Sequence, residues 1–187
     1  MNKLFVRNKR FYWLLISLAL PVVFQNMITI GVNIVDTMML GSYGEIQLSA
    51  SSLANDFINL FQFLCMGVGS GAAVLTSQYY GRQDFSNVKK TVTLMLRFIT
   101  LIAVFCMLLA AVCPAAIMRI YIQDPQVVAM GVLYLRISVP TFILHGITQT
   151  LTLTLRSIRD VKVPLAASIV SFFTNIFFNW VFIFGHF

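Results

Sequence analysis

Asp36 carries the most chemical potential in this sequence. It lies in Asn33-Ile-Val-Asp36-Thr37, inside an apolar run from Phe11 to about Leu40. A carboxylate within a bilayer costs about 2.5–3.5 kcal/mol even on lenient insertion scales, so it must face protein or water. Polar residues around it share one helical face: Asn26, Thr29, Asn33, then Asp36 and Thr37, in steps of three and four. A second apolar run carries a matching stripe, Ser168, Ser171, Asn175 and Asn179. One carboxylate with several amide and hydroxyl oxygens suits a proton or a hard cation such as Na+. Asn, Ser and Thr also hydrogen-bond between membrane helices. The serines and Thr29 are read in that way, Asn175 and Asn179 fit either role, and Asp36 is read as functional.

Other polar residues carry less. Asn55, Asp56, Asn59 and Gln62 stand near the outer end of the second apolar run, and Gln78 near its inner end. Arg136 falls in the outer part of the fourth run, placed to snorkel or to pair with an acid. His145 lies deep in the same run and is read as packed or hydrogen-bonded. Gly67 and Gly71 form a GxxxG pair suited to close helix packing. The stretch Gly67-Val-Gly-Ser-Gly71-Ala also fits a loose dinucleotide fingerprint, but no strand or βαβ unit surrounds it. Cys65, Cys106 and Cys113 lie in apolar runs without a CxxC pair, as buried small apolar residues do. There is no HExxH, no P-loop and no Ser/His/Asp set at one membrane depth, so an enzyme is not expected.

The elements that must position these groups are membrane helices. The 187 residues are 59% hydrophobic and 10% charged, with mean hydropathy +0.87. Soluble domains carry about 25% charged residues. Five runs are long enough to span: 11–40, 49–80, 91–117, 127–155 and 163–184. Backbone groups in lipid must be satisfied internally, so an all-α integral membrane protein of five helices is expected. The first run is too long for a cleaved signal and reads as an anchor. Gly41 and Gly44 close it, Gly81 closes the second, and Asp124-Pro125 marks the loop before the fourth. Pro164 opens the fifth, and Pro21 and Pro140 place kinks inside spans.

Net charge is +7, but the cations cluster between apolar runs, which argues for topology rather than nucleic acid. Lys3, Arg7, Lys9 and Arg10, then Arg82, Lys89 and Lys90, then Arg156, Arg159 and Lys162 fall on one side, against Arg119 on the other. That bias sets the N-terminus in the cytoplasm of a cell whose plasma or inner membrane holds the protein, with Phe187 outside. No linker or second domain is visible.

Taken in order, these pieces resemble the multidrug and toxic compound extrusion (MATE) transporters, over the whole chain. The first span shows Pro21, Val35-Asp36-Thr37, Gly41 and Gly44 with Leu48 and Ala50. The second ends Gly71-Ala-Ala-Val-Leu-Thr-Ser-Gln78-Tyr-Tyr-Gly81, followed by Asp84 and Lys89-Lys90. The fourth opens Tyr134-Leu-Arg136-Ile137 before Pro140, and the fifth shows Asn175, Asn179 and Ile183-Phe-Gly185. The resemblance implies a twelve-helix exporter in two six-helix bundles, exchanging H+ or Na+ for organic, often cationic, compounds. It implies a cation site at Asp36, Asn175 and Asn179, with Asn33, Thr37, Gln78 and Arg136 in support, and no cofactor besides the coupling ion. Its partners would be a small organic substrate, the lipid bilayer and the missing C-terminal half.

Two departures stand out. The family loop Arg-Gly-x-Gly-Asp-x-Lys-x-Pro reads Arg156-Ser-Ile-Arg159-Asp160-Val-Lys162-Val-Pro164, with both glycines replaced. The chain also lacks a sixth span and a second bundle, which implies a fragment, a truncated frame or a pseudogene product. Two rivals remain. One is a flippase for lipid-linked oligosaccharides of the same superfamily, which should carry more cations within its spans than Arg136. The other is a structural membrane protein whose stripes only pack helices.

Overall fold

A computed structural model describes residues 9–183, so Lys3, Arg7, Phe184, Gly185 and Phe187 lie outside the described residues. The described elements are helices: α1 (Lys9–Tyr43), α2 (Glu45–Gly81), α3 (Phe85–Val112), α4 (Pro114–Tyr121), α5 (Pro125–Ser138), α6 (Thr141–Ser157) and α7 (Lys162–Ile183). There is no strand among the described residues. Helices α1, α2, α3 and α7 are each long and apolar enough to cross a bilayer, and α5 with α6 is long and apolar enough only as a pair, bent by 56°. The described residues thus form an all-α, multi-pass membrane protein with four to five crossings.

Prolines set the breaks. Pro140 has no N–H to donate and clashes with the preceding turn, so the fourth crossing divides there, where Val139 N–H donates to the Arg136 carbonyl at 3.4 Å. The third run, expected to continue to residue 117, stops at Val112. Pro114 disfavours helical geometry at Cys113, whose φ and ψ are −124° and 42°, and then starts α4 from its first position. Helix α4 has 8 residues, about 12 Å, and cannot cross. It buries Pro114, Ile117 and Met118 and packs on α5. Cys113, expected to be buried, is therefore exposed at the break, whereas Cys65 and Cys106 are buried. Pro21 breaks nothing, since α1 runs continuously through it.

The residues 37–158 form one compact unit, and α1 up to Asp36 forms another with the segment from Arg159 onward. In the first, α2 packs on α3, α5 and α6, and α3 packs on α6. Its core includes Phe57, Phe61, Met95, Ile99, Ala103, Leu135 and Phe142. The Phe61 and Phe142 rings meet edge-on, centroids 5.2 Å apart. Outward-pointing Phe63, Phe98 and Phe105 are exposed, as suits side chains whose solvent is lipid.

Small residues allow close approach, though not at the expected pair. A Cβ on Gly67 or Gly71 would meet nothing within 4 Å among the described residues, whereas one on Gly69 would collide with Leu153. Gly67 and Gly71 share a face, and Gly69 lies on the opposite one. It is that face which turns to the core.

Acidic residues cap the helices. Asp84 accepts from the Asn87 backbone N–H at 3.1 Å and from the Asn87 side-chain amide at 2.6 Å. This cap starts α3 at Phe85 rather than at the expected residue 91. The two Asn87 bonds, then Lys90, hold the Asp84 carboxyl below its ordinary range. Because its folded value is depressed, the stabilisation is full above the ordinary carboxylate range and fades as pH falls through the lowered value. An acid titration of α3 amide exchange should show protection falling only below that range, and Asp84→Ala should remove the dependence. Asp124 caps α5 through Gln126 N–H at 2.8 Å, and Asp160 accepts from Lys162 N–H at 3.3 Å at the start of α7.

Two turns use left-handed residues. Gln83, at φ 60°, follows α2, with Gln83 N–H on the Tyr80 carbonyl and Asp84 N–H on the Tyr79 carbonyl, both at 3.0 Å. That is a Schellman closure with a glutamine where glycine is usual. Arg159, at φ 68°, takes the same left-handed conformation after α6. A left-handed non-glycine costs about 1–2 kcal/mol, and glycine gives back about 0.5–1 kcal/mol through the unfolded chain. Arg159→Gly should therefore stabilise the protein by about 0.5–1 kcal/mol in detergent unfolding, and Arg159→Ala should not.

Candidate cation site

Helices α1 and α7 run parallel, and their contacts keep one register. Gln25 Nε2 donates to Ser168 Oγ at 2.9 Å and to the Pro164 carbonyl at 3.4 Å. Further along, Asn179 Nδ2 donates to Asp36 Oδ1 and, at 3.1 Å, to Asn175 Oδ1. The pairs Gln25–Ser168 and Asp36–Asn179 are each 143 residues apart, and Pro21 and Pro164 stand in the same relation. Between the two polar contacts, Gly31 admits the Phe172 ring, whose Cε2 would lie 3.7 Å from a Cβ at that glycine. The seam is therefore polar at both ends and aromatic in the middle.

Periodicity explains who faces whom. Gln25 and Asp36 are eleven residues apart, just over three turns, so they share a face. On α7, Ser168, Phe172, Asn175 and Asn179 recur in steps of three and four. Asp36, Asn175 and Asn179, the three residues expected at the site, come together and are half-buried. Asn26, Thr29 and Asn33 of the expected stripe are exposed, and so is Ser171, whose place in the seam Phe172 takes. Thr29 uses its hydroxyl on its own helix, donating to the Gln25 carbonyl at 3.1 Å. Gln25 was missed because the stripe was counted from Asn26, one residue and 100° away. Its signal in the sequence is the eleven-residue interval to Asp36.

The remaining candidates belong to the other compact unit. Thr37, Gln78, Arg136 and Asp56 are exposed there, and Asn55 accepts from the Tyr134 hydroxyl at 3.3 Å. His145 sets its ring 6.0 Å from Phe61 in an edge contact and lines a cavity of about 270 Å³ with Ile58, Thr141, Phe142, Leu144 and Thr148.

Of the six acids, Asp84, Asp124 and Asp160 are spent on caps, Glu45 opens α2, and Asp56 is exposed. Asp36 alone is an acid on the α1–α7 seam. Its carboxylate accepts from an amide that is itself held by a second amide, an arrangement that fixes the oxygens without neutralising their charge. A proton can join that carboxylate with Asn179 unchanged. A Na+ ion prefers oxygen ligands, so Asn179 must turn its carbonyl toward the ion by half a turn about χ2. Among the described residues no three His, Cys, Asp or Glu side chains converge, and the ligand types here suit a proton or a hard monovalent ion.

Comparison with known proteins gives a consistent answer. The MatE family model matches residues 21–181. The chain is 26% identical over 179 residues to a probable multidrug resistance protein NorM of Neisseria meningitidis serogroup B, covering 93% of this chain and 38% of that protein. It is 28% identical over 188 residues to a probable multidrug resistance protein YoeA of Bacillus subtilis, covering 97% and 40%. Against multidrug and toxin extrusion protein 1 of Xenopus tropicalis it is 26% identical over 173 residues, covering 89% and 29%. The chain thus spans at most about two fifths of the length of these relatives.

Proposed function

The chain belongs to the MatE family of membrane transporters, and from that premise we propose that it forms the N-terminal lobe of a cation-coupled multidrug exporter. The single observation that supports this reading is the Asn179 amide bridging Asp36 and Asn175 on the seam of two crossing helices. Asp36 takes the H+ or Na+. Asn179 and Asn175 hold its carboxylate in place and supply amide oxygens to the ion. Loading cancels the charge of Asp36, which changes what the α1–α7 seam prefers to face. A cation that binds one access state more tightly shifts the protein toward it. By linkage, an organic substrate that prefers the other state weakens cation binding by the same factor. Substrates would be organic, often cationic, compounds held jointly with a second, C-terminal lobe.

Orientation follows from charge. Lys9 and Arg10 start α1, Arg82, Lys89 and Lys90 flank the α2–α3 turn, and Arg156, Arg159 and Lys162 flank the α6–α7 turn. These lie at the cytoplasmic face of the cell membrane under the positive-inside rule. The test is ethidium efflux from vesicles carrying this lobe within the complete transporter, under an imposed Na+ or H+ gradient. Efflux should follow one of the two gradients. Efflux indifferent to both overturns the coupling.

A further inference from the structure

We propose that Gln25 is a positioning residue for the cation site, acting through the register of α1 against α7. The inference rests on the reading of Asp36 as the cation-binding group and adds a residue that binds neither cation nor carboxylate.

Two residue pairs at one fixed interval of 143 tie the two parallel helices: Gln25 to Ser168 and Asp36 to Asn179, with Pro21 and Pro164 at the same interval in the sequence. The prolines contribute no N–H donors to the seam. The Gln25 contact is therefore the first polar tie above them. It is also two-pronged, reaching a hydroxyl and a backbone carbonyl one turn apart on α7. A tie to a backbone carbonyl fixes depth along the helix axis, because the next equivalent carbonyl is about 5.4 Å away.

Eleven residues further on, Asp36 meets Asn179 by the same interval. A slip of one turn would set Asp36 opposite Asn175 or Ile183 in place of Asn179. The seam between offers little resistance to such a slip. Gly31 has no side chain to interlock, and the space beside it would hold a Cβ at 3.7 Å from the Phe172 ring. Loss of the Gln25 tie thus releases register where the site needs it fixed.

The test uses the 187-residue chain in lipid nanodiscs. The protein has 2 tryptophans, Trp13 and Trp180. With Trp13→Phe, Trp180 reports on its neighbour Asn179 during titration with Na+ at fixed pH and with H+ at fixed Na+. Gln25→Leu and Ser168→Ala should each raise the cation concentration at the midpoint by about three- to tenfold, the range for one interhelical hydrogen bond in a membrane. The exchange of Gln25→Ser with Ser168→Gln should recover most of that shift, which a purely structural defect would not. Register is read separately by cross-linking Gly31→Cys to Phe172→Cys, Ser168→Cys or Ile176→Cys with the native cysteines replaced by alanine. Gln25→Leu should spread cross-links from Phe172 to the position a turn away on either side.

A midpoint unchanged within about twofold, or cross-links confined to Phe172 in both backgrounds, overturns the role of Gln25. Asp36→Asn separates this failure from that of the parent reading: it should abolish the titration. If the titration survives Asp36→Asn, the cation reading falls and the positioning role falls with it.

Discussion

Asp36→Asn is expected to reduce cation-driven efflux by roughly a hundredfold to a thousandfold while leaving the protein folded. A unit charge and a cation at about 4 Å attract by about 4 kcal/mol at an effective dielectric of 20. At about 1.4 kcal/mol per decade, that is nearly a thousandfold in affinity before the cost of dehydrating the ion. The asparagine keeps the shape and still accepts from Asn179, so the seam of α1 and α7 persists. A neutral amide is also cheaper than a carboxylate in a span, so the variant should be no less stable than the parent. Asn179→Leu makes the contrast. It leaves the charge but removes its hydrogen-bond donor, at about 1–3 kcal/mol, and should weaken coupling without abolishing it. Ethidium efflux under imposed Na+ and H+ gradients, normalised to protein in the membrane, measures both. Full coupling in Asp36→Asn would remove the basis for the proposed mechanism.

The second large effect concerns packing. Gly146 on α6 faces α3, where an added Cβ would lie 3.1 Å from Ile99 Cγ2, 3.5 Å from Ala103 Cβ and 3.9 Å from the Ile99 carbonyl. Ile99 and Ala103 are fully buried in the core. Gly146→Ala asks Ile99 to move by a few tenths of an ångström, within reach of a small rotamer adjustment. Gly146→Leu needs volume that only separation of α3 from α6 can supply. Overpacking costs about 1–3 kcal/mol, and here about 3 kcal/mol or more, since a backbone carbonyl lies behind the side chain. Unfolding in mixed detergent micelles should rank the parent above Gly146→Ala, with Gly146→Leu far below. Gly71→Leu, in open space, should be nearly neutral. Equal losses at both glycines would contradict the packing described.

The crossings were legible because lipid imposes long apolar runs, and Asp36 was legible because a carboxylate in such a run needs a reason. Asn175 and Asn179 followed from their four-residue spacing. Rotation was harder to read. Periodicity says which residues share a face, but not which face turns inward. Ser171 was therefore placed in the seam instead of Phe172, and Gly67 and Gly71 were favoured over the buried Gly69. Breaks were hard for a related reason. Pro114 interrupts a run whose hydropathy does not change, and a proline is as comfortable starting a helix as it is disruptive within one. Gln25 escaped because it lies at the edge of the polar stripe. Its importance depends on Ser168 and Pro164, more than a hundred residues away.

That separation has a consequence for how the protein is made. Ribosomes add about 5–20 residues per second, so the 143 residues between Asp36 and Asn179 take about 7–30 s to appear. During that interval α1 is already in the membrane or waiting at its surface, with its carboxylate lacking its eventual partner. Asp36 is thus synthesised long before the amide that holds it. The tie that fixes Asp36 is therefore closed only after the intervening helices have been made.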